Sequence, residues 1–230
     1  MVNRTLNFVL EHDKFKTLGS SRTDAMVSAN KSYFELFLRE AIDPEQLLRD
    51  MNVNLPRDIR LLSIREVDDQ FNIIQDVGEK EYLYHFSFGE KSHPFCAPFM
   101  IHFLDILDVE LMKKGAALFE GTHNFKSFCY KPGESTSFSR TVITSRISEQ
   151  GDTRALPFSP SDSFVYLVKG SGFMRHQVRL MMGALVLLGK GEITLPEIEK
   201  ILDGKEATFE QYLAPASGLL LNDVKFKNIS

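Results

Sequence analysis

The 230-residue chain contains no tryptophan and only two cysteines. Cys96 and Cys129 lie far apart, with no cluster of histidine or cysteine around them. That excludes the ligand spacing of a zinc site and reads as two reduced thiols in a cytoplasmic protein. No apolar run reaches membrane-spanning length, and Met1-Val2-Asn3-Arg4-Thr5 carries no signal-peptide hydrophobic block. Low-complexity segments and repeats of solenoid period are absent too. Positive charge is also in short supply, with a formal net charge of −4 and a pI near 5.9. That counts against a strongly basic nucleic-acid binder, though a local basic cleft can sit on an acidic globule. What is present is 43% hydrophobic and 25% charged residues, an ordinary soluble composition. The length suffices for one large or two small domains.

The hydrophobic pattern predicts mixed elements. A helix starts at Asp43, with Pro44 at its first position and Glu45 in its first turn, and runs to about Met51. Residues 58–68 are strand-like. Residues 79–88 alternate, with Tyr82, Tyr84, Phe86 and Phe88 on one face. A helix capped by Asp108 is stopped at Gly121. Strands are expected over 139–148 and 163–170, separated by a polar loop containing Gly151, Pro157 and Pro160. A strongly apolar helix follows from Met174 to Leu188, ending at Gly189. Thr194-Leu195-Pro196-Glu197 is a capping box opening a short helix closed by Gly204. Strands and helices mix without strict βαβ alternation, so the fold class is α+β with mainly antiparallel sheets flanked by helices.

Three positions can carry chemistry. Asp24 sits in Ser20-Ser21-Arg22-Thr23-Asp24-Ala25, a stretch without apolar periodicity that reads as a loop presenting a carboxylate. By spacing alone, Arg22 and Asp24 most often describe a solvated turn. Arg179 lies in a helix apolar on nearly every face, so its guanidinium must find a carboxylate or carbonyls, or reach the helix end. Tyr82 belongs to an aromatic stripe, which by itself describes core. His176, three residues before Arg179, shares its helix face and is either a supporting group or a structural histidine. Lys113, Lys114, Lys126, Lys131, Arg140, Arg146 and Arg175 are scattered cations of a solvated surface or the makings of a basic one.

Gly19-Ser20-Ser21-Arg22-Thr23-Asp24-Ala25 resembles the G-A-G-R-T-D-A segment of the TruA family of tRNA pseudouridine synthases. Further stretches fit that family in order. They are Leu55-Pro56-Arg57-Asp58-Ile59, Lys80-Glu81-Tyr82-Leu83-Tyr84, Gly121-Thr122-His123-Asn124-Phe125, Gly172-Phe173-Met174-Arg175-His176-Gln177-Val178-Arg179 and Ala214-Pro215-Ala216-Ser217-Gly218-Leu219. The resemblance implies two subdomains facing a cleft, residues 1–70 carrying the Asp24 loop and residues 71–230 carrying the Tyr82 strand and Arg179 helix. It implies a cofactor-free, metal-free isomerase acting on uridine in the anticodon stem-loop of tRNA, and a homodimer. In that reading Asp24 is the nucleophile, Arg179 its ion-pair partner, Tyr82 and Arg22 bind substrate, and His176 supports the site.

The chain departs from the family pattern at Met26, where the family has glycine, and at Ser28, where it has histidine. The family's opening strand and its YDG-x-x-F-x-GWQ segment have no counterpart. A second reading, a non-catalytic RNA-binding paralogue, draws on those departures and on the acidic pI. A third reading, phosphoryl transfer through an aspartyl intermediate, ranks last, since no second nearby aspartate and no glycine-rich phosphate loop accompany Asp24.

Overall fold

The computed structural model describes residues 1–149, 163–204 and 212–227. They form two compact units: Met1–Ser21 with Tyr33–Asp76, and Arg22–Ser32 with Val77 onward. The first unit packs helices α1 (Val2–Leu10) and α2 (Pro44–Asn54) with a two-stranded antiparallel sheet of β1 (Lys16–Gly19) and β3 (Phe34–Phe37). Its core is Leu6, Leu47, Met51 and Leu55. As the sequence predicts, Asp43 caps α2, its carboxylate accepting the Glu45 N–H at 2.9 Å beside Pro44.

Residues 58–68, expected as a strand, form none. The Asn52 side chain takes the place of a neighbouring strand. Its Oδ1 accepts the Leu61 N–H at 2.9 Å, and its Nδ2 donates to the Leu61 carbonyl at 3.0 Å. The apolar side chains Ile59, Leu61 and Ile64 then pack on the small helical core rather than on a sheet face.

The second unit holds a seven-stranded sheet. Its strands are β2 (Ser28–Ala29), β4 (Val77–Phe88), β5 (Ile101–Phe103), β6 (Gly121–Asn124), β7 (Ser139–Glu149), β8 (Ser163–Gly170) and β9 (Leu219–Phe226). The order is β2-β9-β4-β8-β7-β6, with β5 also paired to β4. Among the described residues, only β2–β9 and β4–β5 are parallel. Helices α3 (Val109–Leu118), α4 (Gln177–Gly189) and α5 (Leu195–Leu202) supply the helical layer of the main core. This is the expected α+β architecture. None of the helices among the described residues is long and apolar enough to cross a membrane. The expected polar loop around Gly151, Pro157 and Pro160 lies outside the described residues.

The expected division placed the Asp24 loop with the first seventy residues. In the structure Arg22–Ser32 groups with the second unit, because Ser28 and Ala29 pair with Leu220 and Leu221 of β9. Central strand β4 is flanked by β8 and β9 and buries Tyr84 and Phe86 completely. The Tyr84 hydroxyl donates to the Pro215 carbonyl at 2.8 Å, tying residue 215 to the sheet. Helix α4 is buried along nearly its whole length, as its apolar pattern predicts. It starts at Gln177 rather than Met174, since His176 takes a left-handed backbone (φ 61°) and the Gln177 side chain accepts the Met174 N–H. One turn past Arg179, Gly183 faces the Tyr212 carbonyl so closely that a Cβ would lie 1.6 Å from it. Only glycine lets the chain at 212–214 lie against α4 there.

His85, on the opposite face of β4, is 2% exposed, and neither ring nitrogen has a hydrogen-bond partner among the described residues. Burial lowers its pKa from 6.5 to about 4. The unfolded chain therefore takes up this proton before the folded chain does. The stability that comes from keeping His85 neutral is full above pH 6.5 and is lost as the pH falls towards 4. Urea unfolding at pH 7 and pH 5 is expected to show His85→Leu losing less stability on acidification than wild type, by about 2 kcal/mol.

Candidate active site

Asp24 opens a reverse turn that the Val27 N–H closes on the Asp24 carbonyl at 3.1 Å. Met26 occupies the third position of that turn with φ 69°, a conformation that favours glycine in type II turns. The loop thus keeps a glycine-like path in spite of its methionine, whose side chain stands 73% exposed. Beyond the turn, the pairing of β2 with β9 and the Asn30 N–H to the Leu221 carbonyl (2.9 Å) fasten the loop to the sheet. Val27 packs on the main core. Asp24 is therefore a half-buried carboxylate held at both ends of a short loop.

Each carboxylate oxygen has its own neighbour. Arg179 Nη1 donates to Oδ2 at 2.7 Å, and His176 Nε2 lies 3.1 Å from Oδ1. Arg179 Nε also donates to the Ala214 carbonyl at 2.7 Å, so the guanidinium inside the apolar helix bridges the Asp24 loop and the 212–214 segment. Side-chain exposures of 12% for Arg179 and 31% for Asp24 leave the carboxylate the part open to a ligand. The left-handed backbone at His176 orients the imidazole towards Asp24, and the ring stacks on Tyr130 with centroids 4.7 Å apart. His176 Nδ1 is buried without a hydrogen-bond partner.

Tyr82 lies where the β4–β9 register shifts between Glu81 and Tyr82. Its ring meets Phe173 edge-on, with centroids 5.4 Å apart. Burial, reinforced by the negative charge of Asp24, pushes the Tyr82 hydroxyl up to about pKa 12. At neutral pH it is a phenol and a hydrogen-bond donor. Arg22 is exposed and has no ion pair among the described residues, so the structure does not join it to the cluster of Asp24, Arg179, His176 and Tyr82. Sequence reasoning missed Tyr130, whose Lys131 and Arg175 neighbours lie 5.3 and 5.4 Å from its ring centre. Nothing in its local spacing marks it. It missed the part played by Phe173 as well, although the residue lies in the same short motif as His176 and Arg179.

A carboxylate oriented by a guanidinium and an imidazole, beside a protonated phenol and an aromatic wall, can act as nucleophile or base on a planar ring. A family model described as tRNA pseudouridine synthase matches residues 116–227, and one described only as an uncharacterised protein conserved in bacteria matches residues 25–153. A tRNA pseudouridine synthase A of Exiguobacterium sibiricum is 31% identical over 97% of this chain and 85% of its own length. That of Staphylococcus carnosus is 33% identical over 89% of this chain and 73% of its own, and that of Ligilactobacillus salivarius is 30% identical over 97% and 88%.

Strain at Met26 is testable on its own. Glycine relieves the left-handed penalty and a β-branched residue aggravates it. Met26→Gly is expected to be more stable than Met26→Val by about 1–2 kcal/mol in urea unfolding.

Proposed function

The chain belongs to the tRNA pseudouridine synthase A family, and we propose that it converts uridine to pseudouridine in the anticodon stem-loop of tRNA with Asp24 as nucleophile. The observation that carries this reading is the clamp on Asp24, whose two oxygens each face a separate partner, Arg179 and His176. The isomerisation breaks the N1–C1′ bond, turns the base, forms the C5–C1′ bond and releases the C5 hydrogen as a proton, while N1 takes up a proton. Substrate and product have the same atoms, so no co-substrate is consumed. Arg179 and His176 fix the carboxylate where it meets the reacting ring, which removes reorientation from the barrier.

The target base must leave its stack, at a cost of a few kcal/mol. The Tyr82 ring replaces that stack, supplying about 1–3 kcal/mol, and its phenol can donate to the base. Arg22, exposed on the same loop as Asp24, fills the space left by the flipped nucleotide or pairs with its phosphate. The protein works as a homodimer. Phe95, Phe99, Leu104 and Ile106 stand 65%, 49%, 77% and 75% exposed within one short stretch around β5, and a second copy covers them.

Two measurements test this. Tritium release from C5-labelled uridine in unmodified tRNA is expected from wild type and to fall by at least about 10⁴-fold in Asp24→Asn, with folding and RNA binding kept. Full release by that variant defeats the assignment. Sedimentation equilibrium is expected to give a dimer for wild type and a monomer for the double variant Phe95→Asp, Ile106→Asp. A monomeric wild type contradicts the assembly.

A further inference from the structure

Bordered by Phe173, whose ring meets Tyr82, the second unit has an open groove of about 380 Å³, lined by Ser139, Arg140, Thr141, Ser171, Gly172 and Phe173. That volume lies at the lower end of the range for small-ligand sites, about 300–1,000 Å³. Its walls are polar, with a guanidinium and three hydroxyls, apart from one aromatic ring. Arg140 is half-buried on β7. One of its amino groups donates to the Ser139 carbonyl at 2.7 Å, which fixes the side chain, and the guanidinium makes no ion pair among the described residues. The floor depends on Gly170, where a Cβ would lie 2.8 Å from the Thr141 carbonyl and 3.0 Å from the Phe173 ring. On the far wall a Cβ at Gly172 would meet no atom within 4 Å, so the backbone there stands open to a ligand.

Phe173 joins this groove to the reacting centre. Its ring lines the groove and touches Tyr82 edge-on, and Tyr82 lies within reach of the Asp24 charge. A strand whose target base rests on Tyr82 brings its adjacent nucleotide to the other side of Phe173. A fixed guanidinium with hydroxyls around it suits a phosphodiester, and the hydroxyls also suit a ribose. We propose that this groove is the subsite for the nucleotide adjacent to the target uridine, with its phosphate on Arg140 and its sugar or base against Phe173. The inference rests on the uridine-isomerising reading above and adds to it a defined contact to the RNA strand outside the carboxylate clamp.

The test measures binding and turnover together, using full-length protein and unmodified tRNA transcript. Fluorescence anisotropy between about 50 and 200 mM salt compares wild type with Arg140→Gln, Arg140→Lys and Gly172→Leu. Arg140→Gln is expected to weaken binding on the order of tenfold and to reduce the slope of log affinity against log salt by about 1. Arg140→Lys recovers the slope. Gly172→Leu, which fills the groove without removing charge, weakens binding and leaves the slope unchanged. Tritium release is read on the same proteins, and melting temperatures confirm folding. If wild type releases tritium while Arg140→Gln and Gly172→Leu bind as wild type does, the groove assignment falls and the isomerase reading stands. If wild type binds without release and both variants weaken binding as expected, the groove stands as an RNA subsite and the isomerase reading falls. If wild type neither binds nor releases, both fall.

Discussion

The guanidinium of Arg179 is the constraint on which the site depends. It lies in a helix whose other residues are almost all apolar and buried, where an unpaired charge costs several kcal/mol. Two acceptors meet that demand, the Asp24 carboxylate and the Ala214 carbonyl, and they come from chain segments far apart in sequence. Satisfying one charge therefore brings the Asp24 loop and the 212–214 segment to the same side of α4. Gly183 completes the arrangement by removing the side chain that would push the second segment away. A buried pair of this kind adds little stability over a well-packed apolar replacement. Its retention fits a functional use of the oriented carboxylate.

The acidic composition argued against a nucleic-acid substrate, and the distribution of the charges answers that argument. Several lysines are engaged by carboxylates: Lys169 with Glu81, Lys190 with Asp105, Lys225 with Glu79. Arg22, Lys131, Arg140 and Arg175 make no ion pair among the described residues. Lys131 and Arg175 lie over the ring of Tyr130, which stacks on the imidazole that holds Asp24. Arg140 lines the groove joined to Tyr82 through Phe173. Lys131, Arg175 and Arg140 are thus linked by ring contacts to the residues around the carboxylate, and a net charge of −4 is compatible with a local positive field.

Much of this was legible in the sequence, for physical reasons. The unbroken apolar run of α4 announced a buried helix, and a buried arginine in it announced a missing anion. Spacing could not say which anion, because Asp24 and Arg179 are 155 positions apart. Only the family resemblance joined them. Residues 58–68 misled because alternation looks the same whether an extended segment pairs with a strand or leans on a helix. The Asn52 side chain decided it. The allegiance of the Asp24 loop was hidden too, since a two-residue parallel pairing has no sequence signature. Counting put His176 on the helix face of Arg179, whereas the residue precedes α4 with a left-handed backbone. Its contact with Asp24 depends on a left-handed backbone that counting cannot supply.

One short stretch carries most of the site's geometry. Gly172 and Phe173 wall the groove, Arg175 stands over Tyr130, and His176 and Arg179 clamp the two oxygens of Asp24. These eight residues span the transition from an irregular segment into α4, and the left-handed turn at His176 sets the point where the helix begins. Were the helix to start one residue earlier, His176 would follow helical rotation and lose the direction that brings Nε2 to the carboxylate. The Gln177 side chain, accepting the Met174 N–H, holds that start in place from within the core. The precision of the site therefore resides in how one buried helix begins, and the exposed Asp24 loop is positioned by reference to it.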